Sequence, residues 1–135
     1  MVFEPQIDYY TGLCRRGAVD EAFHGLSDLD PAIIPDLEVR FRASSEAGIR
    51  VFLLRVISQY RRESTVAVLG EALLDPEPRV WQQALDGLAT LACEASVEAL
   101  RSAKSQRDDE EFRQWIDEAI EQAAADIVGD GQDYC

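Results

Sequence analysis

The sequence predicts an all-α fold, an α-solenoid of about three and a half helix pairs. The first observation is repetition, since three similar apolar helical patterns begin about 31 residues apart, at Ile49-Arg50, Val80-Trp81 and Phe112-Arg113. The second is that a matched apolar pair precedes each of them, at Ile34/Leu37, Val66/Leu69 and Val97/Leu100. A period of this length, built from paired helices, is typical of helical solenoids, which are usually binding surfaces.

Apolar residues spaced by three and four place the helices along the chain. Three complete pairs are predicted, at 31–43 with 46–61, at 64–74 with 78–92, and at 95–105 with 109–125. Upstream, segment 17–29 repeats the second-helix pattern with four residues expected to face inward, Val19, Phe23, Leu26 and Leu29. Segment 5–14 is expected to be the remnant of its partner helix.

Capping and breaking residues set the helix limits. Asp30-Pro31 is a good helix start, because proline is favoured at the first helical position. Ser44-Ser45-Glu46 and Ser64 are expected to cap the next two helices. Asp75-Pro76-Glu77-Pro78 separates 64–74 from 78–92, since neither proline is tolerated in a helix interior. The chain is therefore expected to form one domain over residues 1–127, a monomer when free, followed by a short flexible acidic tail at 128–135.

The charge of the chain is unusual for its size. The formal net charge is −13, and residues 108–135 alone carry ten acidic residues and one basic residue. Phosphate contacts need clustered Lys and Arg, so the balance argues against nucleic-acid binding. The excess negative charge favours a basic partner, or it serves only to keep the surface well solvated.

The cysteines and the amino-terminal segment bear on location. Cys14, Cys93 and Cys135 are an odd number without metal-like spacing. The start MVFEPQIDYY has neither the basic region nor the apolar stretch of a signal peptide, and no apolar run approaches a membrane span. We expect a reduced, cytoplasmic protein with free thiols, in which Cys93 lies in the core and Cys135 is exposed.

Catalytic chemistry has little support in the sequence. The chain has one histidine, His24, and no histidine-cysteine or Ser-His-Asp arrangement with supporting context. No glycine-rich phosphate loop is present, and the acidic pairs at Asp108-Asp109 and Glu110-Glu111 fit a helix start, where they favour the helix dipole. The sequence predicts a protein without catalytic activity, cofactor or metal.

One stretch of the chain resembles a known repeat family. Asp75-Pro76-Glu77-Pro78-Arg79-Val80, followed by Ala84-Leu85-Asp86-Gly87-Leu88, resembles the core of a HEAT repeat, of the short bacterial type named after phycobilisome lyases. The resemblance covers about 31–125 in three copies and 17–30 more weakly. It implies a right-handed α-solenoid of HEAT-like pairs, with a small hydrophobe followed by Arg at the start of each second helix. Val80-Trp81 departs from that pattern, because an aromatic replaces the basic residue.

The resemblance also implies where a partner would bind. In such solenoids the second helices line the concave face, and their outward positions make the contacts. Trp81, rotated about 100° from Val80 on the helix, should be partly exposed and is a candidate anchor, unless it packs flat against the adjacent helix. Trp115 is expected in the core or at its edge. The other candidate partner-binding residues are polar residues of the second helices of the three pairs, namely Arg50, Gln82, Asp86, Arg113, Asp117, Glu118 and Glu121.

Two functional hypotheses follow. The first is a non-catalytic protein-interaction module, in its sharper form a bacterial immunity protein or inhibitor that binds a basic toxin. The alternative is a bilin-lyase-like or chaperone-like auxiliary protein acting on a cofactor-bearing partner, which rests on the resemblance alone.

Overall fold

The computed structural model describes residues 2–130 of the chain, with side chains described as far as residue 127. This part of the chain is all-helical, as predicted, with eight α-helices, two short 3-10 helices and no strand. The α-helices are α1 Glu4–Arg15, α2 Val19–Ser27, α3 Ile34–Ala43, α4 Ala47–Gln59, α5 Val66–Ala72, α6 Pro78–Leu91, α7 Glu94–Gln106 and α8 Glu110–Asp130. The 3-10 helices are Pro31–Ile33 and Glu63–Thr65. The solenoid, its hand and its number of repeats stay predictions.

The helices form two compact units. The first unit, Met1–Tyr60, holds α1 to α4. Within it α1 packs on α2, α3 packs on α4, and α4 also contacts α1 and α2. Large apolar side chains fill the space between these helices, among them Ile7, Leu26, Leu37, Leu53 and Ile57. The hydroxyl of Tyr60 donates a hydrogen bond to the carbonyl oxygen of Leu26 at 2.7 Å, which joins the end of α4 to α2.

The second unit, Arg61–Cys135, holds α5 to α8. Helix α5 packs on α6 and α7, and α6 packs on α7 and α8. Helix α7 also packs on α8. The buried apolar residues of the second unit come from all four helices, among them Leu69, Leu88, Leu100, Phe112 and Ile116. Helix α6 therefore has three neighbouring helices, which matters for the site described below.

The helices begin close to the predicted positions, but their capping contacts differ from those predicted. Asp30 caps as predicted, because its Oδ1 accepts a hydrogen bond from the backbone N–H of Ala32 at 2.8 Å, although the first turn is a 3-10 helix. Glu46 precedes α4 without a side-chain capping bond, and its carboxylate binds Arg15 instead. Ser64 is not the cap residue of α5, since it lies inside a 3-10 helix. Val19 was expected to face inward and is 37% exposed.

The carboxyl-terminal helix and Cys93 depart from the expectations. Helix α8 continues to Asp130, so its backbone includes the first three residues of the segment predicted as a tail. Residues 131–135, and with them the prediction for Cys135, lie outside the described residues. Cys93 is buried, as expected, but it is disulfide-bonded, so the prediction of a free thiol there is wrong. Cys14 carries a free thiol.

No helix within the described part of the chain combines the length and the apolar character needed to cross a membrane.

Candidate functional site

Trp81 lies in the core of the second unit and is not a partly exposed residue. Its side chain is 2% exposed, so the predicted exposure is wrong. The rotation of about 100° from Val80 directs the ring toward α8, where it meets Phe112 and Trp115. Since α6 packs against three helices, its buried arc is wide enough to include both residues. The interpretation that Trp81 packs against an adjacent helix is the one that holds.

An aromatic cluster formed by Trp81, Phe112 and Trp115 joins α6 to α8. The ring of Trp81 meets Phe112 edge to face, with centroids 5.3 Å apart, and meets Trp115 at 5.9 Å. Such T-shaped pairs stabilise beyond the area they bury. The indole N–H of Trp81 finds no acceptor among the described residues. The cluster holds Trp115 in place from its buried side.

Arg107 covers the aromatic cluster and ties it to a loop. Its guanidinium carbon lies 5.2 Å from the centre of the Trp81 ring and 4.7 Å from that of Phe112. One guanidinium nitrogen donates to the carbonyl oxygens of Leu73 at 3.3 Å and Asp75 at 3.1 Å. The loop between α5 and α6 is thereby joined to the loop before α8.

Trp115 is the exposed tryptophan of the chain. Its side chain is 43% exposed, so it lies at the edge of the core, which is one of the two places expected for it. It borders a groove of about 180 Å³ between α6 and α8. Side chains at spacings of three and four line the groove, Gln82, Leu85, Asp86 and Ala89 from α6 and Trp115, Glu118, Ala119 and Gln122 from α8. We call this the α6–α8 groove.

The α6–α8 groove has an apolar floor and a polar, acidic rim. Leu85, Ala89 and Ala119 are buried beneath it, whereas Asp86 and Glu118 are exposed. Within residues 2–127 neither of these two carboxylates makes an ion pair or a hydrogen bond. Two uncompensated negative charges therefore border the ring of Trp115, and a positively charged group would be attracted to the same place.

Three of the predicted partner-binding residues come together in this groove, and the others lie elsewhere. Gln82, Asp86 and Glu118 line it. Asp117 turns toward α7, where its Oδ1 lies 2.6 Å from Nζ of Lys104. The remaining three do not line the groove: Arg113 lies 3.4 Å from the carboxylate of Asp108, Glu121 is exposed on α8, and Arg50 stacks on Phe41 in the first unit.

The sequence analysis did not identify Trp115 as the more exposed of the two tryptophans. The signal was present in its register, because Trp115, Glu118 and Gln122 follow one another at three and four residues. Such spacing places them on one face of α8. Gln82, Asp86 and Ala89 show the same spacing on α6. The polar character of both rows indicates that they border solvent.

The described residues offer no cluster of three His, Cys, Asp or Glu side chains of the kind that holds a metal ion. His24 is exposed and meets the ring of Phe23 edge to face at 5.7 Å. No family model, no curated protein and no solved structure matches the chain. The resemblance to HEAT repeats therefore stays a prediction.

Proposed function

We propose that this chain is a non-catalytic protein-interaction module that binds a basic partner through the α6–α8 groove. The observation that carries the proposal is the exposed ring of Trp115 beside the unpaired carboxylates of Asp86 and Glu118. Tryptophan is enriched among the residues that dominate binding energy, because it offers a large rigid surface. An unpaired carboxylate next to it accepts hydrogen bonds from a cation.

The groove suits the side chain of an arginine or a lysine. The apolar stem of such a residue would pack over Leu85 and Ala119, and its charged end would lie against the ring of Trp115. Asp86 and Glu118 approach from the two helices that form the groove walls. An arginine guanidinium, which is planar and carries five donors, satisfies two carboxylates better than a lysine does.

The acidity of the whole chain supports the same proposal at longer range. The net charge of −13 creates a field that attracts a basic protein before contact and raises the association rate. In the narrower form of the proposal the partner is a basic toxin and the chain is its immunity protein. The size and acidity of the chain support this form, and identification of the partner tests it.

Partner capture with matched variants tests the proposal. The chain is used as bait in an extract of its own host, and a partner is identified and purified. Its dissociation constant is then measured with wild type and with Trp115→Ala. We expect the loss of the ring to weaken binding about thirtyfold, which corresponds to about 2 kcal/mol. Tyr9→Ala is the aromatic control, because Tyr9 is exposed on α1 of the first unit.

The carboxylates are tested in the same way. Glu118→Gln and Asp86→Asn should each weaken binding about tenfold, since each removes a charge-assisted hydrogen bond. Glu121→Gln makes the same change on the same helix outside the groove, and it should have little effect at physiological salt. A basic partner that binds Trp115→Ala as tightly as wild type would place the binding surface elsewhere. An acidic or neutral partner would contradict the proposed recognition altogether.

A further inference from the structure

The first unit contains a larger groove with a different chemistry. It lies between α1, α2 and α4 and has a volume of about 560 Å³. Residues of all three helices and of the segment before α4 line it, namely Cys14, Arg15, Val19, Glu46, Gly48, Ile49, Val51, Phe52 and Arg55. We call it the Cys14 groove. Its volume lies in the range of small-molecule sites, which are about 300–1,000 Å³.

The walls of the Cys14 groove are largely apolar, and among the described residues the groove is open to solvent. Val19, Ile49, Val51 and Phe52 supply most of the lining that is not charged. Gly48, in the first turn of α4, leaves the space open, because a Cβ added there would meet no atom within 4 Å. The apolar surface that Val19 presents to solvent would be buried by a ligand, which favours binding of an apolar body.

The charged residues of the Cys14 groove leave one positive charge without a protein partner. Arg15 and Glu46 neutralise each other in a two-pronged pair, with Nη2 and Nε of the arginine 2.8 and 3.1 Å from Oε1. Arg55 stacks on Phe23, with its guanidinium carbon 4.3 Å from the ring centre. Across residues 2–127 it makes no hydrogen bond or ion pair.

A stacked arginine is well prepared for a carboxylate. Stacking occupies the flat face of the guanidinium and leaves its N–H groups, which lie in the plane, available as donors. These donors match the two oxygens of one carboxylate. In a chain of net charge −13, an arginine without an acidic partner beside an apolar groove selects an anion with an apolar body.

We propose that the Cys14 groove binds a small organic carboxylate, whose apolar body lies against Val19, Ile49 and Phe52 and whose carboxylate is held by Arg55. An acidic protein segment fits less well, because it would need several cations along its path. The groove offers one cation without an acidic partner, because the charge of Arg15 is already matched by Glu46. This site lies in the first unit and does not depend on the proposed partner of the α6–α8 groove.

Cys14 provides a reporter inside the groove. Its thiol is free, whereas Cys93 is disulfide-bonded. Burial raises the pKa of the Cys14 thiol, with Arg15 opposing the effect, so its alkylation is best followed at mildly alkaline pH. A ligand in the groove shields the thiol from the reagent. The fall in the alkylation rate of the Cys14 peptide, measured by mass spectrometry, gives the fraction of the groove that is occupied.

The experiment compares octanoate with 1-octanol on the intact chain. Octanoate should slow the alkylation of Cys14 in a saturable way, and octanol should bind about tenfold more weakly because it lacks the charge. Arg55→Gln should remove this difference between the two probes. Arg50→Gln is the matched control, since Arg50 also stacks on an aromatic ring of the same unit but does not line the groove.

A second variant fills the groove without using charge. Gly48→Leu places a side chain into the open space, and circular dichroism checks that the variant is folded. Octanoate should then give no protection. Unchanged alkylation of wild type at millimolar octanoate, equal protection by octanol, or an Arg55→Gln variant that still prefers octanoate would each overturn the proposal. If Gly48→Leu does not fold, the comparison of Arg55→Gln with Arg50→Gln decides it.

Discussion

Replacing each tryptophan in turn separates the one that holds the second unit together from the one that we propose binds a partner. Trp81→Ala removes a ring that is 2% exposed and that makes two edge-to-face contacts. We expect the free energy of unfolding to fall by about 3–5 kcal/mol, the usual cost of removing a large buried aromatic side chain. The two ring pairs account for about 1–3 kcal/mol of this, at about 0.5–1.5 kcal/mol each.

Trp115→Ala should have a much smaller effect on stability. This ring is 43% exposed and makes one of the two contacts, so less buried area and only one ring pair are lost. We expect a loss of about 1–2 kcal/mol. The two variants should therefore differ by at least about 1 kcal/mol, with the larger loss at Trp81. The effect on partner binding should have the opposite order.

Urea unfolding followed by far-ultraviolet circular dichroism measures both losses without relying on tryptophan fluorescence. Fluorescence of the single-tryptophan variants gives an independent check. Trp115→Phe leaves Trp81, which should emit at shorter wavelength and resist quenching by acrylamide. Trp81→Phe leaves Trp115, which should be quenched readily. Equal destabilisation by the two alanine variants, or a loss below about 1 kcal/mol for Trp81→Ala, would refute the assigned burial.

Three further predictions test the packing of the helices. Gly25→Ala should strongly destabilise the first unit, because its Cβ would lie 2.8 Å from Cδ1 of Tyr10 and nearer still to Cε1 and Cζ of the same ring. Gly48→Ala meets open space and should be neutral or stabilising in the same urea titration. Tyr60→Phe should cost about 1 kcal/mol. Burial, with two nearby aspartates, raises the pKa of Tyr60 in the folded protein. The contribution of its neutral hydroxyl to the free energy of unfolding is therefore present below pH 10.0 and is lost as pH rises through the raised pKa. Unfolding of wild type and variant at increasing pH checks this. Arg107→Ala should lower the free energy of unfolding by about 2 kcal/mol, since it removes two charge-assisted hydrogen bonds to carbonyls, and Arg107→Lys should recover only part of the loss.

The sequence predicted the helices well because their limits depend on local chemistry. Proline at 31, 76 and 78 forbids helix interiors at those points, and apolar residues at spacings of three and four mark each buried face. The predicted segment 78–92 corresponds to α6 at Pro78–Leu91, and 95–105 corresponds to α7 at Glu94–Gln106. Two 3-10 turns at helix starts escaped prediction, because the apolar period does not distinguish a tighter first turn.

The site was less predictable because exposure depends on how many neighbours a helix has. Val80 identifies one buried direction of α6, but the contact with α8 adds a second direction that includes Trp81. A local sequence pattern does not reveal how many helices pack against a given helix. The sequence therefore predicts the wrong order of exposure for the two tryptophans. The disulfide bond at Cys93 was not predicted for a similar reason, since the spacing of cysteines in the sequence does not show which side chains meet in three dimensions.

The pairing of charges on α8 and in the segment just before it decides which acidic residues there are available to a partner. Asp108, Asp109 and Asp117 each lie within 4 Å of a cation of the chain, at 3.4, 3.5 and 2.6 Å, so part of their field is already cancelled. Glu118 has no such neighbour among residues 2–127, although it follows Asp117 directly. If the acids act only as a distant field, salt and Glu118→Gln should both slow association. If Glu118 holds a cation in the groove, its replacement should chiefly speed dissociation, while salt, which screens beyond about 8–10 Å, should chiefly slow association. The proposed function requires the second result.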